Sequence, residues 1–151
     1  MISDKLRNYL ESNAVNYRTQ LHEPTIGSSR TAQSAHVRGR EFAKTVVIKS
    51  GDRLFMTVLP STDQVHLDEL KQAMGTLDME LASEDDITKA FPDCELGAMP
   101  PFGNLYNMDV FVSEHLREDD HIAFNAGSHD EVMHMSYQDY DRLVRPHVLH
   151  F

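Results

Sequence analysis

Residues 96–103, Leu-Gly-Ala-Met-Pro-Pro-Phe-Gly, hold the stretch best suited to do chemistry. Pro100 and Pro101 lack amide donors and push the residue before each out of the α region, so neither a helix nor a central strand is expected there. A stiff loop remains. Gly97 and Gly103 supply free φ, and the prolines fix φ between them. Such a loop holds backbone N–H groups in a set pose with no side chain in the way. That suits an oxyanion, a carboxyl ester or a sugar edge, with the amides of Gly97, Ala98 and Met99 as donors. Taken alone, Gly/Pro clusters are more often punctuation between a helix and a strand.

Two other stretches carry reactive types. Lys44 opens a strongly apolar run, where a lysine held at a pocket mouth could bind a phosphate or a carbonyl oxygen. The local alternative, a solvated lysine flanking a strand, is the commoner case. Residues 125–130, Asn-Ala-Gly-Ser-His-Asp, read as a hairpin turn around Gly127 and Ser128. Ser128 could hydrogen-bond a substrate amine or hydroxyl, and His129 could act near neutral pH. They are not a triad, because side chains adjacent in sequence seldom face each other. The nine histidines have irregular spacing, with no HExxH and no paired cysteines, so no metal site and no cofactor are expected. His147 and His150 could share one helix face. Cys94 reads as a small buried filler rather than a nucleophile.

The elements that must position these residues follow from patterning. A helix over 3–13 is capped by Ser3, with Leu6 and Leu10 on one face, and ends at Asn13. Residues 15–21 alternate as a half-buried strand, and a second helix is expected over 29–37. Residues 44–49 and 53–59 form a hairpin through Ser50-Gly51-Asp52, apolar enough that both sheet faces are expected to be covered. A helix over 67–74 ends at Gly75, a short strand falls near 79–81, and Ser83 caps a helix over 84–90. Strands at 107–113, 121–126 and 131–135 precede a helix over 137–144 capped by Ser136. The tail from Pro146 has no assignment. Mixed helices and strands with recurring hairpins indicate an α+β fold with a largely antiparallel sheet.

The 151 residues fit a single domain, 1–151, with a real core. One cysteine rules out an internal disulfide and fits a reducing compartment. With no apolar leader and no membrane-length apolar run, the expected location is cytoplasmic. A formal net charge of −10 argues against broad non-specific nucleic-acid binding, while leaving room for a small basic site.

The order of pieces resembles a known family. A strand ending in His-Glu-Pro is followed by Phe-Ala-Lys-Thr-Val-Val-Ile-Lys, then Gly-Ala-Met-Pro-Pro-Phe-Gly, then Phe-Asn-Ala-Gly-Ser-His. Over about residues 3–145 this is similar to the YbaK/EbsC aminoacyl-tRNA deacylases, related to the editing domain of prolyl-tRNA synthetases. The resemblance implies a mixed α/β domain around a bent, mostly antiparallel sheet resembling a barrel, flanked by helices. It implies hydrolysis of the ester joining an incorrect small amino acid to the tRNA 3′ end, with the substrate's own ribose hydroxyl as general base and His129 as the alternative base. The family lysine falls on Lys44 and its Gly-x-x-x-Pro loop on Gly97–Pro101. Its Ala-Gly-Ser segment falls on Gly127 and Ser128, with the histidine of some members at His129. The implied partners are the aminoacyl-tRNA 3′ end and an aminoacyl-tRNA synthetase. The alternative is a non-catalytic module of the same fold that binds a tRNA end or a synthetase. Leu21 stands where some members carry a tyrosine, so substrate choice does not transfer.

Overall fold

The computed structural model describes residues 3–22, 31 and 37–150. The helix expected over 29–37 therefore lies largely outside the described residues. Among the described residues, four α-helices and eight strands are built as the local signals demand. Helix α1 (Asp4–Ser12) is capped by the Ser3 hydroxyl, which accepts from the Leu6 N–H, and it buries Leu6 and Leu10. Strand β1 spans Tyr17–Leu21. Strands β2 (Phe42–Ser50) and β3 (Arg53–Pro60) form the hairpin, with Gly51 turning it at φ +61°. Helix α2 (Leu67–Met74) stops at Gly75 in the left-handed region. The two-residue β4 (Glu80–Leu81) precedes α3 (Glu84–Ala90), where Ser83 and Asp86 form a reciprocal capping box. Then come β5 (Val110–Ser113), β6 (His121–Asn125) and β7 (Glu131–Ser136). Helix α4 (Tyr137–Val144), capped by Ser136, and β8 (His147–Leu149) complete the chain.

The expected α+β class holds, and the sheet is mixed. Its order is β1-β7-β6-β2-β3-β5-β8, with β4 on β2, and the path is open rather than closed. The antiparallel ladders β1–β7, β6–β7, β2–β3 and β2–β4 carry most of the paired residues. The ladders β2–β6, β3–β5 and β5–β8 are parallel. The tail is one of these parallel strands, so His147 and His150 do not share a helix face. His147 stacks on Phe111, and His150 meets Glu114.

Both faces of β2 are covered, as its nearly continuous apolar run requires. Ala43 and Val47 join the main core, together with Leu6, Leu10, Phe102, Phe124 and Tyr140. On the opposite face Phe42 packs with Ala123 and Val132, while Ile48 and Val46 pack with Leu70 of α2. Among the described residues no helix is long and apolar enough to cross a membrane.

Candidate active site

Alternation along β2 decides where Lys44 points. It shares the face of Phe42, Val46 and Ile48, opposite the main core, and stands in the gap between two satellite clusters. It is also the first residue of β2 past the ladder with β6, which ends at Ala43 opposite Phe124. Lys44 is half-buried and has no hydrogen-bond or ion-pair partner among the described residues. Desolvation lowers its pKa below the ordinary lysine value, with a partial offset from the carboxylate of Asp63.

Continued one step, the β2–β6 register sets Lys44 level with Asn125, on the same face as Ala123. Asn125 is 8% exposed, and its Oδ1 is buried with no hydrogen-bond partner among the described residues. An unmet acceptor of this kind costs about 1–3 kcal/mol. Sequence reasoning passed over Asn125, because an Asn ahead of Ala-Gly-Ser reads as turn chemistry.

Two residues further on, the β6–β7 turn is stitched to the Gly/Pro loop. The Gly127 N–H donates to the Ala98 carbonyl at 3.0 Å, and the Glu95 N–H donates to the Gly127 carbonyl at 2.8 Å. Gly127 has φ +110°, and a Cβ there would meet Ser3 at 3.3 Å. His129 closes the seam. Its Nε2 donates to the Leu96 carbonyl at 2.6 Å, and its backbone N–H donates to Glu95 Oε2 at 3.1 Å. A carbonyl only accepts, so the proton sits on Nε2 and Nδ1 carries the lone pair in the neutral ring. Ser128 is buried, and its hydroxyl donates to Asp130 Oδ1 at 2.6 Å.

The loop is held from below by the core. Ala98, Met99 and Phe102 are buried, and Phe102 packs edge-on against Phe124 and Tyr140. The buried Tyr140 hydroxyl donates to the Pro101 carbonyl at 2.7 Å. Of the three amides expected to face a ligand, two are engaged. The Ala98 N–H donates to the Glu95 carbonyl, and the Gly97 N–H to the Met99 sulfur at 3.2 Å. The Met99 N–H has no acceptor among the described residues. The loop thus offers one fixed donor rather than a row of three.

The register sets Lys44 level with Asn125, and the β6–β7 turn that follows Asn125 is bonded to the loop that carries the Met99 amide, through Gly127 and His129. Cys94 stands apart, near Asp93 and the Tyr106 hydroxyl, and burial pushes its thiol up to about 11. Among the described residues no group of three or more His, Cys, Asp or Glu is placed to hold a metal ion.

Residues 22–143 match the model of the aminoacyl-tRNA editing domain. The chain belongs to that family. It is a hydrolase of the aminoacyl-tRNA ester, as the resemblance implied. This editing domain is 27% identical over 150 residues to a multifunctional Ser/Thr-tRNA deacylase, ProXp-y, of Escherichia coli K12, covering 94% of this chain and 87% of the relative. A solved structure described as a "putative trans-editing enzyme for prolyl tRNA synthetase" superposes with a TM-score of 0.83 at 14% identity, over 98% of this chain and 94% of the other. Another, described only as a hypothetical protein, gives 0.85 at 16% identity, over 97% and 98%. At those identities the two structures speak for the fold.

Proposed function

We propose that this editing domain acts in trans on mischarged tRNA, cleaving seryl and threonyl esters, and that Lys44, the Met99 amide, Asn125 and His129 form its working site. The observation that carries the assignment of the site is the Met99 amide, without an acceptor among the described residues, on a loop bonded to the turn that follows Asn125, the residue set level with Lys44. The support for the substrate class is the likeness to the Ser/Thr-tRNA deacylase.

An aminoacyl ester is already activated, so hydrolysis needs a placed water and a stabilised oxyanion. The Met99 N–H is the fixed donor for that oxyanion. Lys44, a cation without a partner, anchors the terminal phosphate or ribose beside it. Asn125 offers a buried amide to the substrate's ammonium or hydroxyl groups. His129 spends its Nε2 proton on Leu96 and acts as a positioning residue for the loop. The vicinal ribose hydroxyl of the substrate then draws the proton from the attacking water. Pro101, Gly127 and Ser128 shape and hold the substrate-binding rim. The reaction takes place in the cytoplasm, with an aminoacyl-tRNA synthetase contributing affinity for the body of the tRNA that this acidic chain lacks.

The test is deacylation of a panel of tRNAs charged with serine, threonine, alanine, cysteine and a large residue, each also with a terminal ribose lacking the vicinal hydroxyl. Rapid release of serine and threonine, abolished on the deoxy substrates, is the expected result. Equal rates on deoxy substrates would transfer the base role to His129. No release from any tRNA would defeat the enzymatic reading of the site.

A further inference from the structure

On the same sheet face as Lys44, between β3, α2 and β8, lies a cavity of about 400 Å³, within the size range of small-ligand sites. Its walls include the aliphatic side chains of Leu59, Val65, Leu70 and Leu149. Leu59 faces Lys44 across the β2–β3 ladder, so the cavity adjoins the ester end of the site. Thr57 lines it too, is 4% exposed, and its Oγ1 is buried with no hydrogen-bond partner among the described residues. A χ1 rotation exchanges its hydroxyl and methyl at the wall. At the mouth Asp63 Oδ2 accepts from His115 Nδ1 at 2.8 Å, while Oδ1 has no partner among the described residues. No lysine or arginine lines the cavity, and the imidazole of His115 is taken up by Asp63, so the lining does not favour a phosphate. Aliphatic faces with a few hydrogen-bonding edges suit a neutral planar heterocycle.

We propose that this cavity takes the terminal adenine of the aminoacyl-tRNA, with Thr57 bonding the edge of the base and Asp63 accepting from the ribose on the way to Lys44. The proposal rests on the deacylase reading above. It gives the acidic chain a way to read the tRNA end without a broad basic face. The apolar walls cover the faces of the base, and the unmet Thr57 hydroxyl gains the partner that it otherwise lacks.

The experiment uses the full chain with two esters of one amino acid, seryl-adenosine and the 2-hydroxyethyl ester of serine, which keeps a vicinal hydroxyl but has no base, alongside a nuclear magnetic resonance titration with adenosine. Thr57→Val keeps the shape of the side chain and removes an unpartnered hydroxyl, so its unfolding midpoint is held or raised. It is expected to weaken adenosine binding and raise KM for seryl-adenosine by roughly tenfold, leaving the hydroxyethyl ester unchanged. Val65→Phe, which fills the mouth, is expected to do the same more strongly. Equal effects on both esters would make the cavity an amino-acid pocket and overturn the proposal. Adenosine binding lost in Thr57→Val with an unchanged KM for seryl-adenosine would assign the cavity to free nucleotides and also overturn it. If neither ester is cleaved, the deacylase reading fails by itself, and the adenosine titration still decides the cavity: shifts at Thr57 and Leu59 support it, and their absence overturns it.

Discussion

The ring of His129 holds its Nε2 2.6 Å from the carbonyl oxygen of Leu96, and its Cε1 lies 3.3 Å from where a Cβ on Gly97 would sit. One side chain from the β6–β7 turn therefore sets the pose of the Gly/Pro loop, and with it the free Met99 amide. Gly97 has φ +85°, a region that an L side chain enters at a cost of roughly 1–2 kcal/mol. Gly97→Ala is expected to lose about that much stability by denaturant unfolding and to lose turnover by roughly a hundredfold, because the amide moves. Lost stability with full turnover would show that the pose of the loop does not matter to the reaction.

Tyr140 tests the same loop from the core side. Its hydroxyl is buried and donates to the Pro101 carbonyl at 2.7 Å. Tyr140→Phe is expected to cost about 1–3 kcal/mol, since it strands a buried carbonyl, and to lower kcat more than it raises KM. A variant with unchanged stability would mean that water replaces the hydroxyl there.

Lys44 and Asn125 are expected to show the opposite pattern, activity lost with stability kept. Lys44 is desolvated and has no ion pair among the described residues, with only a partial offset from Asp63, so Lys44→Met should leave the unfolding midpoint unchanged or higher. Asn125→Leu removes an unmet acceptor and should gain roughly 1 kcal/mol. Both variants should lose deacylation by roughly tenfold or more. A fall in stability for either would assign that side chain to the fold instead of the substrate.

His134 sets a pH dependence of stability. Burial first, then the cation of Arg18 on β1 and the ring of His121 on β6, lower its pKa from 6.5 to about 4. Its Nδ1 lies 3.1 Å from His121 Nε2, and its Nε2 lies 2.9 Å from Gln20 Oε1. The unfolded chain takes up a proton near pH 6.5 that the folded chain refuses until about pH 4. Stability from this group is complete above about pH 6.5 and is lost as the pH falls towards 4. Unfolding midpoints measured across that window should slope less in His134→Gln than in the wild type. Identical slopes would exclude His134 as the source.

Much of the fold was legible because its signals are local. Ser3, Ser83, Ser136 and Gly75 mark helix ends by side-chain and backbone chemistry within a few residues, and the β2–β3 hairpin is closed by two, Gly51 and Asp52. Strand β8 was not legible. It has three residues, begins at an exposed histidine, and exists through parallel pairing with the distant β5. The reactive types of the site could be read, but not their states. A run that is apolar on both faces hides which way Lys44 points. Only the bond from the Ala98 N–H to the Glu95 carbonyl, and the capture of the Gly97 amide by the Met99 sulfur, single out the Met99 N–H. Asn125 matters through what its oxygen lacks, and a sequence does not record a missing partner.

The most direct measurement is single-turnover hydrolysis of seryl-tRNA by the wild type, Lys44→Met and Gly97→Ala, each first shown to be folded. Fast release by the wild type, slowed by roughly tenfold or more in Lys44→Met and by roughly a hundredfold in Gly97→Ala, is the predicted result. Wild-type release that survives in both folded variants would place the chemistry elsewhere in the molecule.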